Sequence, residues 1–267
     1  MMKTKKEALL IIEDVSVAFR MYRGGLKQQK TEALSCFRMV VWPGEIVAVV
    51  GASGAGKSLL AATILGILPE NASISGRMYF QGEELTPKRQ AQIRGRSIAY
   101  IPQSVSCLDP LMKIGGQVQG HRGEVPAEKV RQIFRRLELP EGTEKLYPHQ
   151  LSGGMARRVL AATALVTEAR LVIADEPTPG MGSGQAQETL TMFREMADAG
   201  RSVLLITHDV EPAMEVADRM VIVREGVTVE TVSGADFKAG PKALRHPYSK
   251  ALWSALPENG FVFSGEM

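Results

Sequence analysis

The chain has little that would staple or anchor it. Two cysteines among 267 residues, Cys36 and Cys107, lie far apart without CxxC spacing. They give no disulfide framework or zinc pattern, and predict two reduced, mostly buried thiols. The four histidines (His121, His149, His208, His246) are scattered, so no local metal-ligand cluster is visible. No apolar run approaches the roughly 20 residues that span a bilayer. At the N-terminus, Lys3, Lys5 and Lys6 precede an apolar stretch at 8–12 that stops at Glu13 and Asp14. That stretch is shorter than the apolar region of a signal peptide, which predicts a cytoplasmic protein that meets membranes only through partners. A formal charge of +3 is too weak to argue for nucleic acid. Internal repeats and low-complexity segments are also missing. What remains is a chain long enough to bury a core unaided.

Residues 46–50 form a short β-branched run, introduced by Pro43-Gly44 and ended by Gly51. Residues 171–174 and 203–206 are similar, and all three read as buried strands of a parallel sheet. Between the latter two, a helix is predicted over about 184–199, with Leu190, Phe193 and Ala197 on one face and Gly200 as its stop. Strand, helix, strand at this spacing implies an α/β core built from crossover units. Segments 10–19 and 35–41, around a polar loop at 23–30, predict an antiparallel hairpin laid against the core's edge. From about 104 to 166 strand signals vanish, and the amphipathic stretch 127–137 suggests a helical insertion. The predicted division is therefore a core at 1–103 and 166–235, a helical part at 104–165 and a tail at 236–267.

Gly51-Ala52-Ser53-Gly54-Ala55-Gly56-Lys57-Ser58 fits the G-x-x-x-x-G-K-[ST] pattern between a strand and a predicted helix at 59–68. Glycines there let successive backbone N–H groups point at phosphate oxygens, and the helix start adds partial positive charge. Lys57 is placed to reach β- and γ-phosphates, and the Ser58 hydroxyl to sit on Mg²⁺. A second candidate cluster follows the apolar strand at 171–174. Asp175 is expected to hold Mg²⁺ through water, and Glu176 to orient or deprotonate an attacking water. His208, after the strand at 203–206, lies on the ligand side of such a sheet and is a candidate for the γ-phosphate.

Phosphate loops of this type occur in GTPases, kinases, helicases and transport ATPases. Leu151-Ser152-Gly153-Gly154-Met155 narrows the choice, because it resembles the signature motif of the ATP-binding cassette (ABC) ATPases. The resemblance spans about residues 10–257. It implies a P-loop NTPase fold: a mainly parallel sheet, an antiparallel β subdomain and a helical subdomain. It also implies ATP and Mg²⁺ as cofactors, and a head-to-tail pair in which Ser152, Gly153 and Gly154 face the other subunit's nucleotide. Tyr100-Ile101-Pro102-Gln103 resembles the family's Q-loop, where Gln103 would contact Mg²⁺. His208 matches the switch histidine. Phe19 falls where an adenine-stacking aromatic usually stands, with Tyr22 a second candidate; the alternative for Phe19 is a core position.

Tyr147-Pro148-His149-Gln150, Met155 and the tail from His246-Pro247-Tyr248 to Pro257 resemble importers of the peptide, opine and nickel class. Tyr248, Leu252 and Leu256 share a face, which predicts packing against the core. The absence of a cysteine-rich extension favours the nickel, metallophore or opine branch. One departure stands out. In Pro179-Gly180-Met181-Gly182-Ser183, Gly182 occupies the place of the family's coupling aspartate. The resemblance thus implies an energy-coupling ATPase subunit on the cytoplasmic face of the membrane. Its implied partners are a second ATPase, expected to be a distinct paralogue, and two integral membrane permeases docked near Gln103 and 108–116. A solute-binding protein would be engaged indirectly and nucleic acid not at all. The alternative is a non-transport ABC ATPase of DNA repair or translation; a soluble kinase explains neither the signature nor His208.

Overall fold

The computed structural model describes residues 8–23, 27–120 and 125–256, without the side chains of 21–23 and 27–29. Strands β1 (Leu10–Arg23), β2 (Lys27–Val41) and β3 (Ile46–Val50) precede helix α1 (Lys57–Leu65). Then come β4 (Ala72–Phe80), β5 (Glu83–Glu84), α2 (Pro87–Ile93) and β6 (Ile98–Ile101). A helical stretch follows, with α3 (Ile114–Gln119), α4 (Ala127–Arg136) and α5 (Gly153–Leu165). The core resumes with β7 (Leu171–Asp175), α6 (Ser183–Asp198), β8 (Ser202–Thr207) and α7 (Val210–Val216). Beyond these lie β9 (Arg219–Arg224), β10 (Val227–Ser233), α8 (Gly234–Lys238) and α9 (Pro247–Ser254).

Six strands form one sheet in the order β10-β9-β3-β8-β7-β6, parallel throughout except for β10. The three sequence-predicted strands are its centre, and every residue of β3, β7 and β8 is buried. Burial on both faces explains their unbroken apolar character. Alternate residues feed opposite layers. Ile46, Ala48 and Val50 join α5, α6 and α7 on one side; Val47 and Val49 join α1 and a second sheet on the other. Each valine or isoleucine among them contributes about 1.5–3 kcal/mol by leaving water.

That second sheet corrects the expected hairpin in two ways. Its order is β2-β1-β4-β5, and it covers a face of the parallel sheet together with α1 rather than lining an edge. Phe37 and Phe80 are fully buried in the shared layer. Its strands also run further than the sequence suggested. Arg20 to Arg23 pair with Lys30 to Lys27, within the supposed polar loop. Backbone pairing along a two-stranded ribbon does not need apolar side chains, so composition alone understated its length.

Both cysteines are free and exposed, not buried as expected. Cys36 has φ 44° where the β1–β2 register slips, which turns it off the strand's regular alternation. Cys107 ends a single 3-10 turn at the surface. The predicted tail stripe forms as expected, with Leu256 buried and Tyr248 and Leu252 against the core. Among the described residues, no helix is long and apolar enough to cross a membrane. His121 and Pro257 lie outside the described residues.

Candidate nucleotide site

Parallel register brings three strand ends together. Val50 is level with Thr207, and Asp175 with Ile206. The segments that leave β3, β7 and β8 therefore emerge side by side at the carboxyl edge of the sheet, where ligands of α/β proteins bind.

The loop after β3 wraps tightly. A Cβ on Gly51 would stand 2.1 Å from the Val223 carbonyl oxygen, so only glycine fits against β9. At Gly56, φ is 86° and a Cβ would lie 2.7 Å from the Ala33 carbonyl oxygen on β2. Ala52, Ser53 and Gly54 are exposed at the crest, and Ala55 is buried. Lys57 is buried, and its Nζ donates to the Gly51 and Ala52 carbonyls at 2.8 and 3.0 Å. Burial lowers the pKa of this ammonium, against the pull of Glu176 and Asp175. An ammonium carries three donors, so these two bonds leave capacity for an anion at the crest.

Asp175 is 1% exposed. Its Oδ1 accepts from the Ser58 hydroxyl at 3.1 Å, and its Oδ2 from Tyr100 at 3.4 Å. Burial raises its pKa, with the Ser58 bond as the main opposing influence. A carboxylate and a hydroxyl beside a phosphate loop suit Mg²⁺, which takes one or two protein oxygens plus substrate phosphates and waters.

Glu176 adopts φ 50°, the left-handed region that costs a non-glycine residue about 1–3 kcal/mol. Its buried carboxylate is held on both oxygens. Oε1 receives the His208 backbone N–H at 3.0 Å and faces His208 Nδ1 at 2.7 Å; Oε2 receives the Thr207 hydroxyl at 3.1 Å. A carboxylate only accepts, so the proton of this bond sits on Nδ1. The His208 side chain is 59% exposed. This cluster can orient a water and accept its proton.

The fold does not gather every sequence candidate. Gln103 is exposed, and its side chain makes no hydrogen bond to Ser58 or Asp175. Its carbonyl instead accepts from Arg157 Nη1 at 3.0 Å, and the same nitrogen donates to the Glu176 carbonyl at 3.3 Å. Ser152 caps α5, accepting from the Met155 N–H at 3.3 Å. Ser152 and Gly153 are exposed, and Gly154 is half-buried. The first N–H groups of a helix have no partner within it, so this is an anion-ready end. Phe19 is partly buried against the layer shared with Ala55 and Leu60. It pairs with Thr31 on the ribbon whose Ala33 abuts Gly56. The side chain of Tyr22 lies outside the described residues.

Sequence reasoning assigned no role to Thr207, Tyr100 or Arg157. Tyr100 stands in the stretch that ends at Gln103 and Thr207 directly precedes His208, so their strand-end positions were a usable signal. Arg157 binds backbone carbonyls distant in sequence and left no local pattern.

A phosphate loop, a buried Asp-Glu pair and a strand-end histidine on one sheet edge define a phosphate-loop nucleotide hydrolase. The chain belongs to the ABC transporter family, whose model matches residues 34–179, and it is an ATP-binding cassette with ATPase architecture. It is 33% identical to the "Probable peptide ABC transporter ATP-binding protein y4tR" of Sinorhizobium fredii, over 95% of this chain and 78% of that one. It is 35% identical to the "Oligopeptide transport ATP-binding protein OppD" of Lactococcus lactis, over 95% and 77%. Among solved structures it resembles the ATP-binding cassette MJ0796 in a dimeric, ADP- and phosphate-bound form. The TM-score is 0.73 at 22% identity, over 84% of this chain and 98% of that one, a likeness in fold.

Proposed function

We propose that this chain is the ATP-hydrolysing, energy-coupling subunit of an importer for peptides, working at the cytoplasmic face of a membrane. Gly51 to Ser58 hold the triphosphate, with Lys57 as clamp. Ser58 and Asp175 would hold Mg²⁺, which would neutralise phosphate charge, with Gln103 as a further oxygen donor. Glu176 acts on the attacking water, and His208 contacts the γ-phosphate while fixing Glu176 through Nδ1. Phe19 stacks on adenine. The observation that carries this reading is the Glu176 cluster beside Ser58–Asp175, because phosphoryl transfer is mostly positioning and charge stabilisation.

Ser152 and Gly153 turn outward, which supports a site closed by a second cassette. Gly182 supports a distinct paralogue as that partner, with unequal sites. Equal turnover by a homodimer and by the mixed pair would contradict the inequality. A surface groove of about 490 Å³, lined by Tyr100, Pro102, Leu108, Met112, Gly116 and Leu160, adjoins the strongly exposed Leu111. It suits docking of a permease segment. Peptides, rather than nickel or opines, are favoured by the names of the relatives. The test is reconstitution: with permeases and a binding protein present, peptide should stimulate ATP hydrolysis, and co-purification with ribosomes or DNA instead would overturn the transport reading.

A further inference from the structure

The catalytic reading leaves the C-terminal segment without a task, yet that segment touches the phosphate loop. Its approach is built in steps. The Glu230 carboxylate on β10 accepts from the Arg245 N–H at 2.8 Å and the His246 N–H at 3.1 Å, which fixes the chain entering α9. His246 Nδ1 then caps the helix by accepting from the Tyr248 N–H at 3.1 Å, and Pro247 occupies the first turn. Leu252 and Trp253 pack on the core from the same helix, and Leu256 is buried after it. Tyr248 is thereby held half-buried, with the Arg224 guanidinium 5.4 Å from its ring centre. Its Oη accepts a hydrogen bond from the Ala52 N–H at 3.2 Å.

Ala52 is the second residue of the phosphate loop, so the loop's entry is gripped from three sides. The Val223 carbonyl closes the space beside Gly51, Lys57 holds the Gly51 and Ala52 carbonyls, and Tyr248 holds the Ala52 N–H. A lysine drawn towards phosphate oxygens loosens its grip on those carbonyls. The Tyr248 bond does not involve Lys57 and stays available at that moment.

We propose that Tyr248 is a positioning residue for nucleotide binding: its hydroxyl, presented by α9, holds the entry of the phosphate loop in the curl that accepts a triphosphate. The C-terminal segment then sets the affinity for ATP without touching the nucleotide. This rests on Gly51 to Ser58 being the nucleotide site.

Titration of the full-length chain with Mg-ATP tests it, using Tyr248→Phe, which removes the acceptor and keeps the ring. The expected result is a Kd about three- to tenfold higher, the scale of one lost hydrogen bond, at a nearly unchanged melting temperature. Lys57→Ala serves as the control for the site itself. Loss of binding in Lys57→Ala with an unaltered Kd in Tyr248→Phe would overturn the latch and leave α9 a packing element. Unaltered binding in Lys57→Ala would instead overturn the nucleotide site on which the latch depends.

Discussion

Glu176 and Ser152 both stand just before a turn or helix on the candidate site, yet the fold treats them oppositely. Glu176 is buried, strained at φ 50° and hydrogen-bonded on both carboxylate oxygens by Thr207 and His208. Ser152 is exposed and bonded within its own helix start, and Gly153 beside it is open, with nothing within 4 Å of where a Cβ would stand. Folding alone completes the first group. The second is ready for an anion that its own chain does not bring, as expected where a site is divided between two subunits.

The largest effect should fall on the completed side. Glu176→Gln is expected to lower turnover of the assembled transporter by about 10²–10⁴-fold while leaving the ATP Kd within about threefold. Undiminished turnover would remove Glu176 from the chemistry. Gly51→Ala drives a methyl group into the Val223 carbonyl. It should destabilise the chain by about 1–3 kcal/mol, read from denaturant midpoints, and weaken ATP binding with it.

The link between the two sides should matter less. Arg157 lies on the signature helix α5 and bonds the Gln103 and Glu176 carbonyls. Its replacement by Ala is expected to cut turnover about tenfold with little change in ATP Kd, and Arg157→Lys should recover part of the loss. Equal loss of binding and turnover would make Arg157 merely structural. The smallest effect is expected at Gly182, which caps α6 from the position before it and donates to Gln185 Oε1 at 2.9 Å. Gly182→Asp supplies a better cap once the Gln185 side chain turns aside, and should add a few tenths of a kcal/mol. A large loss of melting temperature would show that Gln185 cannot move.

Legibility in the sequence followed the same division. The strands β3, β7 and β8 were readable because burial on both faces demands unbroken apolar runs. Gly51 to Ser58 were readable because phosphate binding restricts residue types at fixed spacing. β4 was not: seven of its nine residues are not buried, so no alternation marked it. β9 is built on an apolar run at 220–223 that was available and unused. The two-layer placement of the β1–β2 ribbon depends on contacts with α1 and Phe80 far along the chain, which no local pattern encodes. Arg157 and the hydroxyl of Tyr248 escaped for a related reason, since each bonds backbone groups of residues distant in sequence. The Glu176–His208 bond required the parallel register of β7 and β8, although each residue was recognisable separately.

The most direct test of a divided site is Gly153→Asp, which sets a negative charge on the open start of α5. Two quantities are compared: the ATP Kd of the isolated chain and the ATP turnover of the assembled transporter. An unchanged Kd with turnover lower by about 10²-fold is the result expected if Ser152–Gly154 serve a nucleotide held by another subunit. A weakened Kd in the isolated chain, or full turnover in the assembly, would contradict it.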